Sequence, residues 1–488
     1  MVALTLIDGY KLDHRRQYPD GTEYVYSNWT PRGSRLPDVK EVVFVGLQYF
    51  LEKYLGEEFD KFFEADVDEV CKKYERRVNA YLGPNQIGSD HIRELHELGY
   101  LPLEFKALPE GTLTPLRVPM LTVENTDPRF GWLVNYLETI MSASLWVPMT
   151  SATLAKRMRV LFEDYAEKTG SPKEFVDWQG HDFSFRGMGG LESAQMSGLG
   201  HLTQFTGTDT IPAIEFVEDY YGVPSEDYLI GGSVAATEHS VMCAGGETSE
   251  YDTFKRLLNL YPVGILSVVS DTWDLWKVLT EIVPSLYNEI MERDGKLVIR
   301  PDSGDPSDIL CGLQGREVGS EGTPEMKGVV ELLWDIFGGT ITETGHKLLD
   351  SHIGVIYGDA INYERAQDIL SRLEAKGFAS ANVVFGMGSF GYQYQTRDTF
   401  GFAMKATNVV IDGVEKPIFK DPVTDNGTKK SLKGRIIVVE GENGLEAVDQ
   451  MVVGKADHYG PDLLTTVWKD GKFVKKYTFD EVRANARA

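Results

Sequence analysis

Cysteine is scarce. Cys71, Cys243 and Cys311 are the only three in 488 residues, far apart and without a C-x-x-C pair, which excludes a disulfide framework and a thiolate zinc site. H-E-x-x-H is also absent, and with it a zincin-type metal centre. No stretch of about 18 uninterrupted apolar residues occurs, and the start, MVALTLIDGYKLDH, carries neither a basic leader nor a long apolar core; the expected location is cytoplasmic. Basic charge is in short supply: 49 lysines and arginines face 74 acidic residues, a formal net charge of −25. That field repels polyanions and argues against a nucleic-acid or anionic-membrane partner. An anionic substrate then needs a locally basic pocket. What is abundant is ordinary: 42% hydrophobic and 25% charged residues suit a globular chain with a sizeable core, not a disordered one.

From about residue 180 the text becomes regular. The strand candidates HDFSFRG, LTQFTGTDT, GGSVAATEHS, GILSVVSDT, KLVIRPDSG, IGVIYGDAI and ANVVFGMGS are mostly separated by helical text such as IPAIEFVEDYYG and YERAQDILSRLEAKG. Strands alternating with helices predict a parallel sheet, and seven or eight units in a row favour closure into a barrel. The predicted fold is α/β: an irregular TIM-like βα-barrel over residues 171–395, plus an α+β domain built from the N- and C-terminal segments, 1–170 and 396–488. The tail is hairpin-like, in TNVVIDGVEKPIF and GRIIVVEGENG, and closes on a helix with Thr478 and Glu481 at capping-box spacing.

Arg186, Asp209, His239, Asp271, Arg300, Asp359 and Gly388 stand at or just beyond the carboxyl ends of these strands, where βα-barrel enzymes keep their sites. Arg186, Arg300 and Arg397 can fork onto phosphate oxygens, and His239 can add a switchable charge. Asp271, Asp302 and Asp359 can accept from sugar hydroxyls or hold magnesium. The bland alternative for LVIRPDSGDP, residues 297–306, is that Arg300 and Asp302 merely neutralise each other at the rim. GMGSFG, residues 386–391, fits G-x-G-x-x-G, but the following YQYQTRD is a poor start for a Rossmann helix; a loop cradling a monophosphate on a late barrel strand is the better reading. Phe183 and Tyr10 can stack a flat ring, although single aromatics are more often core. His181, His201, His346 and His352 read as ordinary structural or surface histidines, and KKSLKGR, residues 429–435, as a solvated loop.

Taken together, DGYKLDHRRQYP, GLQYFLEKYL, TVENTDP, HDFSFRG, FTGTDT, ATEHS, SVVSD, IRPDSGDP, GDAIN, TRD, FKDPVTD and YTFDEVRANA make the chain resemble the nicotinate/nicotinamide branch of the type II phosphoribosyltransferases along nearly its whole length. The resemblance implies transfer of phosphoribosyl from phosphoribosyl pyrophosphate to nicotinamide with magnesium, improved by ATP through a phosphohistidine at His239. It implies diphosphate contacts at Arg186 and Arg300, a ring clamp of Phe183 with Tyr10 from a second subunit, and Asp209 facing the carboxamide. Ribose contacts fall on Asp302, Gly358 and Asp359, and contacts to the product phosphate on Ser389 and Arg397. A basic loop reaching the partner's site matches Arg32, with Arg35 as the fallback. The family expectation is thus a homodimer in which His239, Arg300 and Asp302 carry the catalysis. Two stretches depart from the pattern: GMGSFG stands where a run of glycines is usual, and YGDAIN replaces a G-D-G.

Three other readings stay open at this point. A nicotinate-specific enzyme is disfavoured by Asp209, which would repel a substrate carboxylate. A Schiff-base aldolase would want a lysine at a strand end, and none of the seven strands ends in one. A noncatalytic pocket-bearing signalling protein would have little use for His239 and both arginines.

Overall fold

The computed structural model describes residues 3–313, 322–359, 361–424, 430–451 and 459–488. The chain forms two compact units. One comprises Met1–Thr153, Glu215–Tyr228 and Gln395–Ala488, the other Leu154–Ile214 and Leu229–Tyr394.

The second unit is built on seven parallel strands, β1 (Gly180–Asp182), β2 (Gly207–Thr208), β3 (Ala235–Ala236), β4 (Val263–Val269), β5 (Asp294–Arg300), β6 (Ile353–Tyr357) and β7 (Val383–Met387). They hydrogen-bond in the order β2-β1-β7-β6-β5-β4-β3, and a parallel bridge from Gly207 to Gly232 joins the two ends. Thr208 N–H donates to Gly232 O at 3.0 Å there, and Gly232 N–H to Thr206 O at 2.9 Å. The strands therefore run in chain order around a ring, as a closed βα-barrel requires. The two-residue β2 and β3 lie in Gly/Ser/Thr-rich text with little side chain to pack, so they are shorter than the sequence segments predict. In β5 the side chains alternate: Leu297 and Ile299 are fully buried, while Lys296, Val298 and Arg300 line the bore. Among the described residues, three helices, Pro306–Cys311, Pro324–Lys327 and Val329–Phe337, and the hairpin Gly339–Ile341 with Lys347–Leu349 come between β5 and β6. In the Gly/Glu-rich text CGLQGREVGSEGTPEMKG, residues 311–328, positions 314–321 lie outside the described residues.

The flanking unit interleaves the chain's two ends. Thr22–Pro31 pairs antiparallel with both Phe402–Ile411 and Leu121–Asn125 in a seven-stranded sheet, and Trp29 stacks on Phe402 with ring centres 5.7 Å apart. Arg435 anchors the hairpin Arg435–Gly441 with Gly444–Met451, reaching Glu124 at 2.6 and 2.9 Å and Glu415 at 2.6 Å. Glu481 accepts from Thr478 N–H at 2.9 Å at the start of the last helix, Phe479–Arg487, as the capping-box spacing predicts.

The unit boundaries differ from the predicted 1–170, 171–395 and 396–488. Residues 154–170 pack with the barrel, where Phe162 stacks on Phe385 at 5.0 Å and Arg159 meets Asp177 at 2.7 Å. Glu215–Tyr228 packs instead with the flanking unit. The reason is Glu110, buried at 2% exposure, which accepts from Gly46 N–H at 2.8 Å, Gln48 N–H at 2.6 Å and the Tyr221 hydroxyl at 2.7 Å. A carboxylate so deeply buried needs all its donors, and one of them comes from this segment.

Candidate active site

A cavity of about 620 Å³ opens at the carboxyl ends of the strands. Phe183 and Arg186 reach it from beyond β1, Asp209 from beyond β2, Arg300 and Asp302 from β5, Gly358 and Asp359 from beyond β6, and Gly388 and Ser389 from beyond β7. Nine of the residues singled out in the sequence thus share one wall. His239 opens the helix His239–Gly245 beyond β3, with Nε2 4.0 Å from Asp302 Oδ2 and Nδ1 3.2 Å from the Thr272 hydroxyl. Asp271, beyond β4, accepts from Asp302 N–H at 2.9 Å and from the Ser303 hydroxyl at 2.5 Å.

Arg300 forks onto Asp302 at 3.2 Å (Nε to Oδ1) and 2.9 Å (Nη2 to Oδ2) while its guanidinium carbon lies 5.2 Å from the Phe183 ring centre. The two charges of LVIRPDSGDP do pair with each other, but on the cavity wall and beside His239. Arg186 makes no ion pair among the described residues, so its charge is open to an anion. Phe183 is seated by its N–H donating to Met387 O at 3.0 Å. A β-carbon on Gly358 would come within 3.1 Å of its ring, and one on Gly386 within 2.5 Å, so glycine at both is what lets the ring lie against the floor of the mouth.

Asp209 is the most specifically prepared group. His181 Nε2 stands 2.8 Å from its Oδ1, and the Ser233 hydroxyl donates to the same oxygen at 2.7 Å. Burial pushes its carboxyl up, but the bond and charge of His181, the Ser233 hydroxyl and the Arg300 guanidinium outweigh it and hold Asp209 below the usual carboxylate range. With both donors on Oδ1, Oδ2 is left to accept from a ligand N–H.

Tyr10, Arg32 and Arg397 belong to the flanking unit. Tyr10 is 63% exposed, with its ring 5.3 Å from that of His14. Arg397 lies on the turn Arg397–Thr399, and Arg32 Nε donates to Gly401 O at 2.9 Å. Arg32, Lys405 and Lys430 line a cavity of about 240 Å³ in this unit. Lys430 comes from the KKSLKGR run, is exposed as expected of a solvated loop, and pairs with Asp421 at 3.4 Å; Lys429 lies outside the described residues.

The model of the nicotinate phosphoribosyltransferase family matches residues 178–472, and that of the nicotinamide phosphoribosyltransferase N-terminal domain residues 2–105. The chain belongs to the nicotinate phosphoribosyltransferase family. Nicotinamide phosphoribosyltransferase of Acinetobacter baylyi is 50% identical over 98% of this chain and 96% of its own length. The protein of that name from Xanthomonas campestris pv. campestris is 33% identical over 99% and 97%. Among solved structures, nicotinate-nucleotide pyrophosphorylase from Pyrococcus furiosus superposes with a TM-score of 0.59 at 17% identity, covering 99% of this chain and 94% of that one. Human nicotinic acid phosphoribosyltransferase gives 0.53 at 16%, covering 98% and 92%. At those identities the likeness is one of fold.

For a member of this family, two site groups escape a reading by motif. His181 is not an ordinary structural histidine, since it orients Asp209; it sits two residues before Phe183, and period-two alternation on β1 is the signal that places both toward the mouth. His201 is structural, bonded to the Tyr392 hydroxyl at 2.7 Å and Gly207 O at 2.9 Å. Lys296 is the second omission. It lines a cavity of about 400 Å³ that runs down the bore from His181, Phe183 and Asp209, and its ammonium has no hydrogen-bond partner among the described residues. Burial lowers its pKa, partly opposed by Asp350.

A base whose folded pKa lies below its unfolded one binds fewer protons when folded, so stability rises with pH through the window between the two values. Lys296→Met is accordingly expected to raise stability at pH 7 by about 1 kcal/mol, with the gain shrinking as pH climbs toward about 10. Thermal unfolding of both proteins across that range checks it; equal midpoints at pH 7 would count against an unpaired, desolvated ammonium.

Among the described residues no group of three or more His, Cys, Asp or Glu is placed to hold a metal ion. Asp271 Oδ1 is buried and without a hydrogen-bond partner, a donor suited to a hard cation that takes most of its other ligands from phosphates and water.

Proposed function

We propose that this chain is a nicotinamide phosphoribosyltransferase, transferring phosphoribosyl from phosphoribosyl pyrophosphate to nicotinamide and releasing nicotinamide mononucleotide and pyrophosphate, the first step of NAD salvage. The observation that carries the reading is Asp209, kept ionised, fixed on Oδ1 by His181 and Ser233, and offering Oδ2 in the cavity that Phe183 also lines. A carboxamide N–H₂ satisfies that oxygen, whereas a nicotinate carboxylate is repelled by it. The name borne by the relative from Acinetobacter baylyi supports the same substrate.

The chemistry needs cations at the leaving group and oxygens near the ribose, because departure of pyrophosphate leaves an oxocarbenium-like ribosyl. Arg186 and Arg300 take the diphosphate; Asp302, Gly358 and Asp359 face the ribose; Gly388 and Ser389 face the phosphate kept in the product. Neutral nicotinamide needs no deprotonation, so no general base is required, and holding the ring against Phe183 contributes by orientation. Magnesium would screen the pyrophosphate charge, with Asp271 as the protein oxygen closest to being free for it. ATP would transfer its γ-phosphoryl to a ring nitrogen of His239, releasing ADP.

The working form in this reading is a homodimer, with Tyr10 closing the nicotinamide site of a second subunit and Arg32 and Arg397 adding cations to its phosphates. Its location is the cytoplasm; no helix among the described residues is long and apolar enough to cross a membrane.

The test of shared sites is subunit mixing. Tyr10→Ala and His239→Ala proteins, each impaired in ATP-stimulated turnover, are expected to regain it when mixed, because a mixed dimer carries one intact composite site. No recovery after verified exchange would sink the composite site. Mononucleotide formation by the unmutated protein from nicotinamide and phosphoribosyl pyrophosphate tests the transferase itself.

A further inference from the structure

The turn that follows β7 carries three aromatic residues, Phe390, Tyr392 and Tyr394. Phe390 and Tyr394 are 46% and 79% exposed and stack on each other with ring centres 5.6 Å apart. Tyr392 goes the other way. It ends the one-turn helix Ser389–Tyr392 and is buried at 3% exposure. Burial, with Asp182 adding to it, raises its phenol well above the usual tyrosine range, so the hydroxyl keeps its proton and, once out of water, needs an acceptor for it. His201 Nδ1 is that acceptor, at 2.7 Å. A tyrosine that only filled space here would be served as well by phenylalanine.

His201 is fully buried on the helix Leu191–Leu202, and its Nε2 stands 2.9 Å from Gly207 O. A carbonyl can only accept, so Nε2 carries a proton, and Nδ1 is left to receive the Tyr392 hydroxyl. Gly207 opens β2, two residues before Asp209. A β-carbon on it would come within 2.6 Å of His181 Nδ1, so the His181 ring lies directly on this glycine. The other nitrogen of that ring meets Asp209 Oδ1 at 2.8 Å, and its centre is 4.6 Å from that of Phe183. A path of close contacts thus runs from the turn that presents Ser389 to the carboxylate at the other end of the site: the Tyr392 hydroxyl, the His201 imidazole, the Gly207 peptide, the His181 imidazole and Asp209.

We propose that Tyr392 is a positioning residue for base selection: through His201 it holds the Gly207 peptide on which the His181 ring rests, and so sets the carboxylate of Asp209. It rests on the reading of Asp209 as the group that selects nicotinamide over nicotinate. Tyr392 touches neither base, yet a small shift of the Gly207 peptide tilts the His181 ring and turns Asp209 Oδ2 away from the carboxamide, and a hydrogen bond that selects between two bases is sensitive to such a shift. The turn that faces the product phosphate and the group that reads the base are in this way seated on one hydrogen-bonded frame.

The experiment compares the whole protein with its Tyr392→Phe and Tyr392→Leu variants, by calorimetric titration with nicotinamide and with nicotinate and by kcat/KM for each base. Tyr392→Phe keeps the ring and loses the hydroxyl; its preference for nicotinamide is expected to fall about three- to tenfold. Tyr392→Leu is expected to lose the same preference while unfolding at a lower temperature, because it also leaves a cavity. The route is tested by adding Tyr392→Phe to His181→Ala, where it is expected to change the preference no further, since both act on Asp209 through the same ring. An unchanged preference in Tyr392→Phe, whatever its unfolding temperature or overall rate, overturns the proposal. So does a full further loss in the His181→Ala background, or an unmutated protein that binds the two bases equally. If the unmutated protein binds nicotinamide more tightly than nicotinate but makes no mononucleotide, the transferase reading fails, and the shift in binding preference still decides the role of Tyr392.

Discussion

Replacing His239 by alanine is expected to abolish ATP stimulation of mononucleotide formation and acid-labile labelling of the protein from γ-labelled ATP, while slow ATP-independent transfer persists. His239 is the histidine at the cavity's diphosphate side: Nδ1 is tied to the Thr272 hydroxyl at 3.2 Å, and Nε2 lies 4.0 Å from Asp302 Oδ2. Its side chain is half exposed, at 51%, so a nucleotide can reach the ring. A phosphoryl group on it would place negative charge and new acceptor oxygens next to Arg300 and the departing pyrophosphate. Arg300 is already shared with Asp302 at 2.9 Å, so the added charge would compete for that guanidinium and rearrange the diphosphate side of the site. Nothing that clamps the ring or faces the ribose is removed by the mutation, which is why transfer without ATP should survive. The alternative, in which His239 only donates a hydrogen bond to pyrophosphate, predicts no labelling in the unmutated protein. Labelling that persists in His239→Ala would move the phosphoryl acceptor elsewhere and leave the transferase reading untouched.

Asp209→Ser should lose nicotinamide activity by about 10- to 100-fold and narrow the gap between nicotinamide and nicotinate. An amide donor left unpaired in the closed site costs about 1 to 3 kcal/mol, and removing the carboxylate also removes what repels an acid. The effect should reach beyond the mutated residue, because His181 and Ser233 both spend their hydrogen bonds on Asp209. His181→Ala is therefore expected to move nicotinamide kinetics in the same direction, by less. Steady-state kinetics with both bases check this; parameters unchanged in Asp209→Ser would mean that another group reads the carboxamide.

Much of the barrel was legible because its signal is local. β-branched runs ending in a charged or small residue recur once per βα unit, and the period-two alternation in β5 puts Lys296, Val298 and Arg300 on one face. The same rule would have recovered His181 from Phe183, and it was missed because a histidine inside a strand is more often core than ligand partner. The destination of Glu215–Tyr228 was not legible. Its apolar helix text reads like any barrel helix, and what assigns it elsewhere is a bond from Tyr221 to Glu110, more than a hundred positions away. The basic cavity of the flanking unit was hidden for the same reason: Arg32, Arg117, Lys405 and Lys430 have no common spacing, and only the antiparallel pairing of the chain's two ends sets them around one space.

The most direct measurement of the central claim is kcat/KM for nicotinamide against nicotinate, with purified protein, phosphoribosyl pyrophosphate and magnesium, scored by mononucleotide formed. With an ionised Asp209 offering Oδ2 to the base, nicotinamide should be preferred by at least about 100-fold. Equal values, a preference for nicotinate, or no mononucleotide from either base would contradict it.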